Sequence, residues 1–342
     1  KESDMIEQKE VILGVSTDGY LKQLTRKIFE SNNYNEYGLK PYDNICYFNA
    51  VQNINTLVLI TRFGKCITIP IHKIKANKWK EIGQHINDFV TLEPSDKVVY
   101  ANVYSEIPNN LEYVIMSKNG LVKRMNASEN INFSSKSSTI WKSKDNDYLV
   151  CVEELKENIP EFISCLTKKG YGLTFSTAEI PLLSKQSTGV KSIKLLADDE
   201  CLGFVLSKTL QPLALTSISE AIKFIKLSDI VIKKRYSQPV KLFKDLKQNL
   251  ISFIKFSSSK INLLNDDKLN LVDLESLKNG PYLKVFIKLH DINQITDFKN
   301  IQLYNVPVIE NLANADFTPY IPSNDELSEE TDDSQISLFN EA

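Results

Sequence analysis

Long apolar runs are missing from this chain of 342 residues. None approaches the roughly 18 residues needed to cross a bilayer, and no signal-peptide pattern opens the sequence. Histidine is scarce, and His72, His85 and His290 lie too far apart for a local zinc motif. Cysteine is sparse and unpaired in sequence. Cys46, Cys66, Cys151, Cys165 and Cys201 form no C-x-x-C and sit singly in apolar stretches. They read as reduced core residues of a cytosolic protein, neither disulfides nor metal ligands. Amphipathic helical patterning is rare, which excludes a helical bundle. No sign of charge dominates, with 41 Lys and Arg against 43 Asp and Glu, a net charge of −2. The first residue is Lys1, which reads as the start of a fragment of a longer polypeptide.

What is present is ordinary for a soluble globular protein: 42% hydrophobic and 25% charged residues, in a length that suits two average domains or one large all-β domain. The near-neutral total hides an asymmetry. Residues 323–342 hold seven acids (Asp325, Glu326, Glu329, Glu330, Asp332, Asp333, Glu341) and no Lys or Arg. Without those seven, 36 acids face 41 bases and the body carries +5. The sequence therefore reads as a mildly basic body with an acidic tail, disordered and solubilising in the simplest case.

The body repeats itself. "VILGVSTDGYLKQL" carries Gly19 at a hairpin turn, "LVLITRFGKCITI" carries Gly64, "YVIMSKNGLVKRM" Gly120 and "FISCLTKKGYGLTF" Gly170. Two weaker copies, "GFVLSKTLQPLAL" and "ISFIKFSSSKINLL", put Leu210 and Ser258 at that place. These positions are separated by 45, 56, 50, 40 and 48 residues, the length of one four-stranded unit. A second phrase recurs downstream in each unit, as in "GLKPYDNICYF", "STIWKSKDNDYLVCV", "GVKSIKLLADDECLGF" and "PVKLFKDLKQNLISF". It holds an edge signal, a short strand with a basic residue, an acidic or polar turn and an apolar strand. The strand before each turn is apolar without alternation, as in Leu57–Ile60, so it is buried on both faces. One blade cannot bury both faces; six arranged radially can. The reading is an all-β, six-bladed, propeller-like ring.

Basic residues recur in register with the repeat. At or beside the turns lie Lys22, Arg62 with Lys65, Lys118 with Lys123 and Arg124, Lys168 with Lys169, Lys208 and Lys260. In the second phrase lie Lys40, Lys142, Lys191 with Lys194, Lys241 with Lys244, and Lys284 with Lys288. Repeated once per blade, such residues make a curved basic stripe. Duplex DNA presents a charge every ~1.7 Å of axis, so a curved cationic stripe suits a bent duplex held by its phosphates. No groove-reading helix is evident, which argues against sequence-specific readout. Singly, each lysine is better explained as a solubilising edge charge; it is the set, recurring in register, that favours nucleic acid. A protein-interaction propeller is the competing class, but no Trp-Asp dipeptide occurs.

The phrases "VSTDGYLKQ", "SKNGLVKR", "TKKGYGLTF" and "STGVKSIKL" resemble the C-terminal domain of the A subunit of bacterial type IIA DNA topoisomerases. The resemblance covers roughly residues 8–300. It implies a six-bladed β-pinwheel, with strands exchanged between blades, that binds and bends DNA on a basic perimeter. The gyrase branch carries a Q-R-R-G-G-x-G box after its first blade; the matching place reads "TRKIFESNNYNEYGLK", and only Gly38 answers to it. "KANKWKEIGQHI" instead resembles a Trp-Lys-x-Leu-Gly-Gln-His-Ile phrase of the topoisomerase IV branch, with Ile82 at the Leu place. Within it, Trp79 and His85 read as loop packing.

The expected organisation is a pinwheel over 8–312 followed by the acidic tail 313–342. The resemblance implies a binding module with no catalytic or metal residue of its own, since the tyrosine that attacks DNA lies in the N-terminal part of the polypeptide. No cofactor belongs to this segment; Mg²⁺ and ATP are used elsewhere in the holoenzyme. Expected partners are duplex DNA, the N-terminal catalytic core of the same polypeptide, and the B subunit in an A2B2 holoenzyme. The expected location is the cytoplasm, without a membrane. The expected role is to present a transport segment for decatenation and relaxation, with a gyrase-type wrapping domain as the alternative.

Overall fold

The computed structural model describes residues 6–242, apart from 33–35, 42, 44, 143, 145, 156–160, 209–211, 218–220 and 228–229. Beyond 242 it describes the strands at 250–255, 260–265, 268–273, 287–288 and 302–304. The elements run β1 (Glu10–Ser16), β2 (Tyr20–Leu24), α1 (Arg26–Glu30), β3 (Ile45–Gln52), β4 (Thr56–Thr61), β5 (Lys65–Pro70), β6 (Gln84–His85) and β7 (Val98–Tyr104). There follow β8 (Glu112–Ser117), β9 (Leu121–Asn126), α2 (Ala127–Asn130), β10 (Ser137–Thr139), β11 (Leu149–Leu155), β12 (Phe162–Thr167), β13 (Tyr171–Ser176), β14 (Val190–Lys191) and β15 (Cys201–Ser207). The series ends with β16 (Pro212–Ser217), β17 (Ala221–Lys226), β18 (Val240–Lys241), β19 (Leu250–Lys255), β20 (Lys260–Asn265), β21 (Lys268–Asp273), β22 (Ile287–Lys288) and β23 (Gln302–Tyr304).

These strands form six antiparallel sheets. Blade 1 has the order β3-β1-β2-β6, blade 2 β7-β4-β5-β10, blade 3 β11-β8-β9-β14, blade 4 β15-β12-β13-β18 and blade 5 β19-β16-β17-β22. Blade 6 has β23-β20-β21 among the described residues. In each blade the first two strands form a hairpin and the third returns beside the first. The fourth belongs to the next unit: β6, which edges blade 1, lies between β5 and β7 of blade 2 in the chain. The third strands β3, β7, β11, β15, β19 and β23 pack one beside the next, so they line the axis and the exchanged strands lie at the outer edges. This is an all-β pinwheel.

Burial explains the unalternating first strands. All of β4 is buried, with Leu57 and Leu59 packed toward blade 1 (Leu13, Val15, Leu21) and Val58 and Ile60 toward blade 3 (Tyr113, Ile115, Met125). A third core joins Val114, Met116 and Val122 of blade 3 to Ile163, Cys165, Leu173 and Phe175 of blade 4. Each fully buried Leu, Ile or Val contributes on the order of 1.5–3 kcal/mol, so the interleaved cores hold the blades together.

Four hairpins share one turn. Gly19, Gly64, Gly120 and Gly170 have φ of +92°, +80°, +79° and +80°, a region open to glycine at little cost. Their amides donate to the carbonyls of Ser16, Thr61, Ser117 and Thr167, three residues earlier. Those same Ser and Thr hydroxyls accept the amide that follows each glycine, at 3.0–3.2 Å. The turn is therefore a Ser/Thr-x-x-Gly unit.

The fifth and sixth turns fall elsewhere than Leu210 and Ser258. Cys201–Ser207 pairs with β12 as the third strand of blade 4, and the blade 5 hairpin joins β16 to β17, after Ser217. Leu250–Lys255 likewise pairs with β16, and the blade 6 hairpin joins β20 to β21, after Asn265. Both third strands are apolar without alternation, so in sequence they mimic first strands. The expected tail 313–342 and the boundary at 312 lie outside the described residues.

Candidate nucleic-acid interface

The hairpin turns are stitched to the third strands by a repeated acid. Asp43, Asp96, Asp147 and Asp199 precede β3, β7, β11 and β15, and each is buried. Their Oδ1 atoms accept the amides of Asp18, Phe63, Asn119 and Lys169, the second residue of each turn, at 2.8–3.0 Å. The first turn residue joins neighbouring blades. Arg62, Lys118 and Lys168 donate their amides to the carbonyls of Lys97, Tyr148 and Glu200 in their own units, at 2.7, 2.8 and 2.9 Å. The carbonyls of Thr17, Arg62 and Lys118 accept the amides of Val98, Leu149 and Cys201 from the next blade, at 2.9, 2.8 and 2.7 Å. Turn cations are thus fixed in one place at each blade-to-blade seam.

Their side chains are mostly engaged within the protein. Lys168 Nζ lies 2.5 Å from Glu200 and Lys118 Nζ 3.6 Å from it. The Lys168 hydrogen bond, foremost, holds the Glu200 carboxyl below its usual range. Lys65 and Lys169 donate to the carbonyls of Thr91 and Ala197, at 2.9 and 2.8 Å. Arg124 donates through Nε to Ile180 and sits 3.4 Å from Glu112. Arg62 and Lys118 share the ring of Tyr148, with centroids 4.7 and 4.9 Å away.

Two residues of the basic set are corrected. Lys22 and Lys123 are 1% and 0% exposed, so neither belongs to a surface stripe. Lys22 donates to the Trp79 carbonyl at 2.9 Å and lies 3.4 Å from the Tyr37 ring centroid. Burial lowers its pKa to about 7. Lys123 donates to the carbonyls of Ile140, Ser184 and Ser187 at 2.9, 3.0 and 2.8 Å, and burial lowers its pKa to about 8. Both stand third after the turn glycine, facing the inside of the arms, where blades 2 and 4 have Ile67 and Leu173. Strand parity put them there.

The exposed members of the set lie almost wholly on the outer segments. Lys40, Lys142, Lys191, Lys194 and Lys241 are exposed, as is Lys208 in the link between blades 4 and 5. Lys40 and Lys191 rest over the rings of Tyr20 and Tyr236, at 4.7 and 5.3 Å. The side chain of Lys260 lies outside the described residues, as do those of Lys244, Lys284 and Lys288.

The arms that carry the exchanged strands hold further exposed cations that the turn alignment missed. Lys73, Lys75, Lys78 and Lys80 precede β6, Lys136 precedes β10, Lys185 precedes β14 and Lys234 precedes β18. Corresponding points of three arms are fixed by single parallel bridges, Gln23 to Ala76, Arg124 to Leu182 and Thr174 to Ile232. The lysine-rich runs "HKIKANKWK" and "IKKRY" were the available signal. Trp79 is buried, 5.1 Å from Tyr37 and 6.2 Å from Phe29, and His85 Nε2 lies 2.9 Å from the Asp18 carbonyl. Both pack the arm. Among the described residues no helix is long and apolar enough to cross a membrane.

A sheet series of this topology, with basic arms on its outer edge, defines a strand-exchanged β-pinwheel. The family described as DNA gyrase C-terminal domain, beta-propeller, matches residues 55–105, 112–129 and 161–208. The A subunit of DNA topoisomerase 4 from Staphylococcus epidermidis is 30% identical over 295 residues, covering 82% of this chain and 36% of that protein. The chain spans about a third of the length of the curated relatives it matches. A solved C-terminal domain of DNA topoisomerase IV superposes with a TM-score of 0.69 at 21% identity, over 82% of this chain and 88% of that one. The DNA gyrase A C-terminal domain does so with 0.62 at 19% identity, over 86% and 98%. The chain is thus similar to gyrase A and topoisomerase IV A subunits in sequence and shares the fold of their C-terminal domains.

Proposed function

We propose that this pinwheel binds duplex DNA on its exchanged arms without sequence preference and bends it around the rim. The observation that carries this is the placement of exposed lysines on the same outer segment of four successive blades, near Lys78, Lys142, Lys191 and Lys241. Phosphates give DNA a negative charge at every nucleotide, the feature a series of lysines can meet, and neutralising several gives tight, salt-sensitive binding. Bending costs several kcal/mol, which many phosphate contacts offset. On this reading the chain is a non-catalytic module. It presents a transport segment to the cleavage core of the same polypeptide, within an A2B2 assembly in the cytoplasm whose Mg²⁺ and ATP are used elsewhere.

Of the two branches, topoisomerase IV is favoured over gyrase. Where a gyrase box would stand, the chain forms α1, capped by Thr25, with Arg26 held by Glu10 and Glu30 at 3.2 and 2.8 Å. The activity of the assembly would then be unlinking of daughter chromosomes and relaxation. An electrophoretic shift on a duplex of about forty base pairs, run across a salt series, tests the reading. Affinity is expected to fall steeply and linearly on a log–log scale. Absence of a shift at low salt would favour a protein-interaction propeller.

A further inference from the structure

We propose that the seam between blades 2 and 3, formed by Arg62, Tyr148 and Lys118, is a subsite for a single phosphate group, and that Glu200 closes the corresponding place between blades 3 and 4. The source of the phosphate, a duplex backbone, rests on the function proposed above; the subsite itself rests on the comparison of three seams.

Their backbone scaffolds coincide. In each, the carbonyl of the residue before a third strand accepts the first turn amide of its own blade, and the amide of the next residue donates to the first turn carbonyl of the preceding blade. The residue before the strand is Lys97, Tyr148 or Glu200. Only the side chains differ. At the first seam Lys97 is neutralised by Asp18 at 2.7 Å. At the third, Glu200 takes both turn cations, Lys168 at 2.5 Å and Lys118 at 3.6 Å. At the second, Arg62 and Lys118 face one tyrosine ring, and of the two only Lys118 meets a carboxylate among the described residues, Glu200 of the next seam.

Arg62 carries the argument. No ion pair to it occurs among the described residues, and its Nε is shut off from solvent with no acceptor. A guanidinium held beside a ring, its centre 4.7 Å from the Tyr148 centroid, carries a planar fork of donors, which recognises phosphate two bonds at a time. Lys118 contributes a second charge. Its contact with Glu200 is the longer of that residue's two, so it is the cation the carboxylate holds less closely.

The whole chain should be tested by fluorescence anisotropy with a duplex at low salt, and by NMR of the Arg62 side-chain Nε–H against inorganic phosphate. Tyr148→Glu and Arg62→Ala are expected to weaken duplex binding about threefold to tenfold, and Arg62→Ala to lower the salt slope by about one. Glu200→Tyr is expected to tighten binding by a similar factor, an outcome no loss of folding can mimic. Inorganic phosphate should shift the Arg62 signal in the wild type. If the wild type binds duplex while Glu200→Tyr and Arg62→Ala leave affinity and slope unchanged, the subsite is overturned and the wider reading stands. If phosphate shifts Arg62 but no duplex binds, the subsite stands for free phosphate and duplex binding falls. If neither ligand acts, both are overturned.

Discussion

Lys123 Nζ, on the second strand of blade 3, donates to the Ile140 carbonyl on the arm that completes blade 2. The same ammonium reaches Ser184 and Ser187 on the arm that completes blade 3. Its three N–H donors thus meet three carbonyls, with no carboxylate needed. A residue expected to face DNA is instead the pin between two successive arms.

Replacing that pin with Met should leave the three carbonyls without their donor at nearly constant side-chain volume. Lys123→Met is expected to lose about 3–5 kcal/mol in urea unfolding. The pH dependence gives an independent check. The Lys123 pKa falls from 10.5 to about 8 on folding, so between those values the unfolded chain binds the extra proton. Unfolding free energy contributed by Lys123 therefore rises with pH across that window, and the burial cost is fully present below it. Wild type minus Lys123→Met should rise by about 3 kcal/mol from pH 8 to 10.5. A flat difference would show that the ammonium keeps its ordinary affinity for protons.

The aspartate stitches predict a contrast between two substitutions at one site. Asp147 Oδ1 accepts the amides of both Asn119 and Tyr148, at 3.0 and 2.9 Å. Asp147→Ala is expected to cost about 1–3 kcal/mol, while Asp147→Asn, which keeps the accepting oxygen, costs less than half of that. Denaturant midpoints of the two variants measure it; equal losses would mean that charge, not the acceptor, matters.

Two turn glycines with the same φ should differ in tolerance. A Cβ at Gly64 would lie 2.1 Å from the Trp141 carbonyl oxygen, whereas at Gly120 the nearest atom, Ile193 Cγ2, is 3.3 Å away. Gly120→Ala is expected to pay only the left-handed backbone cost, about 1–2 kcal/mol. Gly64→Ala must also move the arm and should lose at least twice as much by calorimetry.

Arm lysines should act through salt. Lys191→Ala with Lys194→Ala is expected to leave the melting temperature within about 2 °C, because both side chains are exposed. The slope of log affinity against log salt should fall by about 2. An unchanged slope would remove blade 3's arm from the proposed rim.

Much of this arrangement was legible in the sequence because some positions allow little choice. Gly19, Gly64, Gly120 and Gly170 need positive φ, and they located four hairpins. The fifth and sixth hairpins lack that glycine, and the apolar third strands "LGFVLS" and "ISFIK" took their place in the alignment. The cations were harder, because a lysine in a short strand looks the same whether it points outward or under an arm. One comparison across the repeats would have separated them: the place of Lys22 and Lys123 is filled by Ile67 and Leu173 in the alternate blades, and a site that accepts isoleucine is interior. The aspartates appeared only as acidic turns, since nothing in a sequence shows which amide a carboxylate will meet.

The borrowing of each outermost strand from the following unit restricts how such a chain can change its copy number. Excising one repeat strips the edge from its predecessor, and inserting one requires an arm that fits a foreign hairpin. Growth and loss by whole units, easy in stacked solenoids, is here penalised twice over at each event. Divergence is accordingly channelled into the side chains of the arms and seams, where Tyr148 can stand for Glu200 without disturbing a single backbone bond.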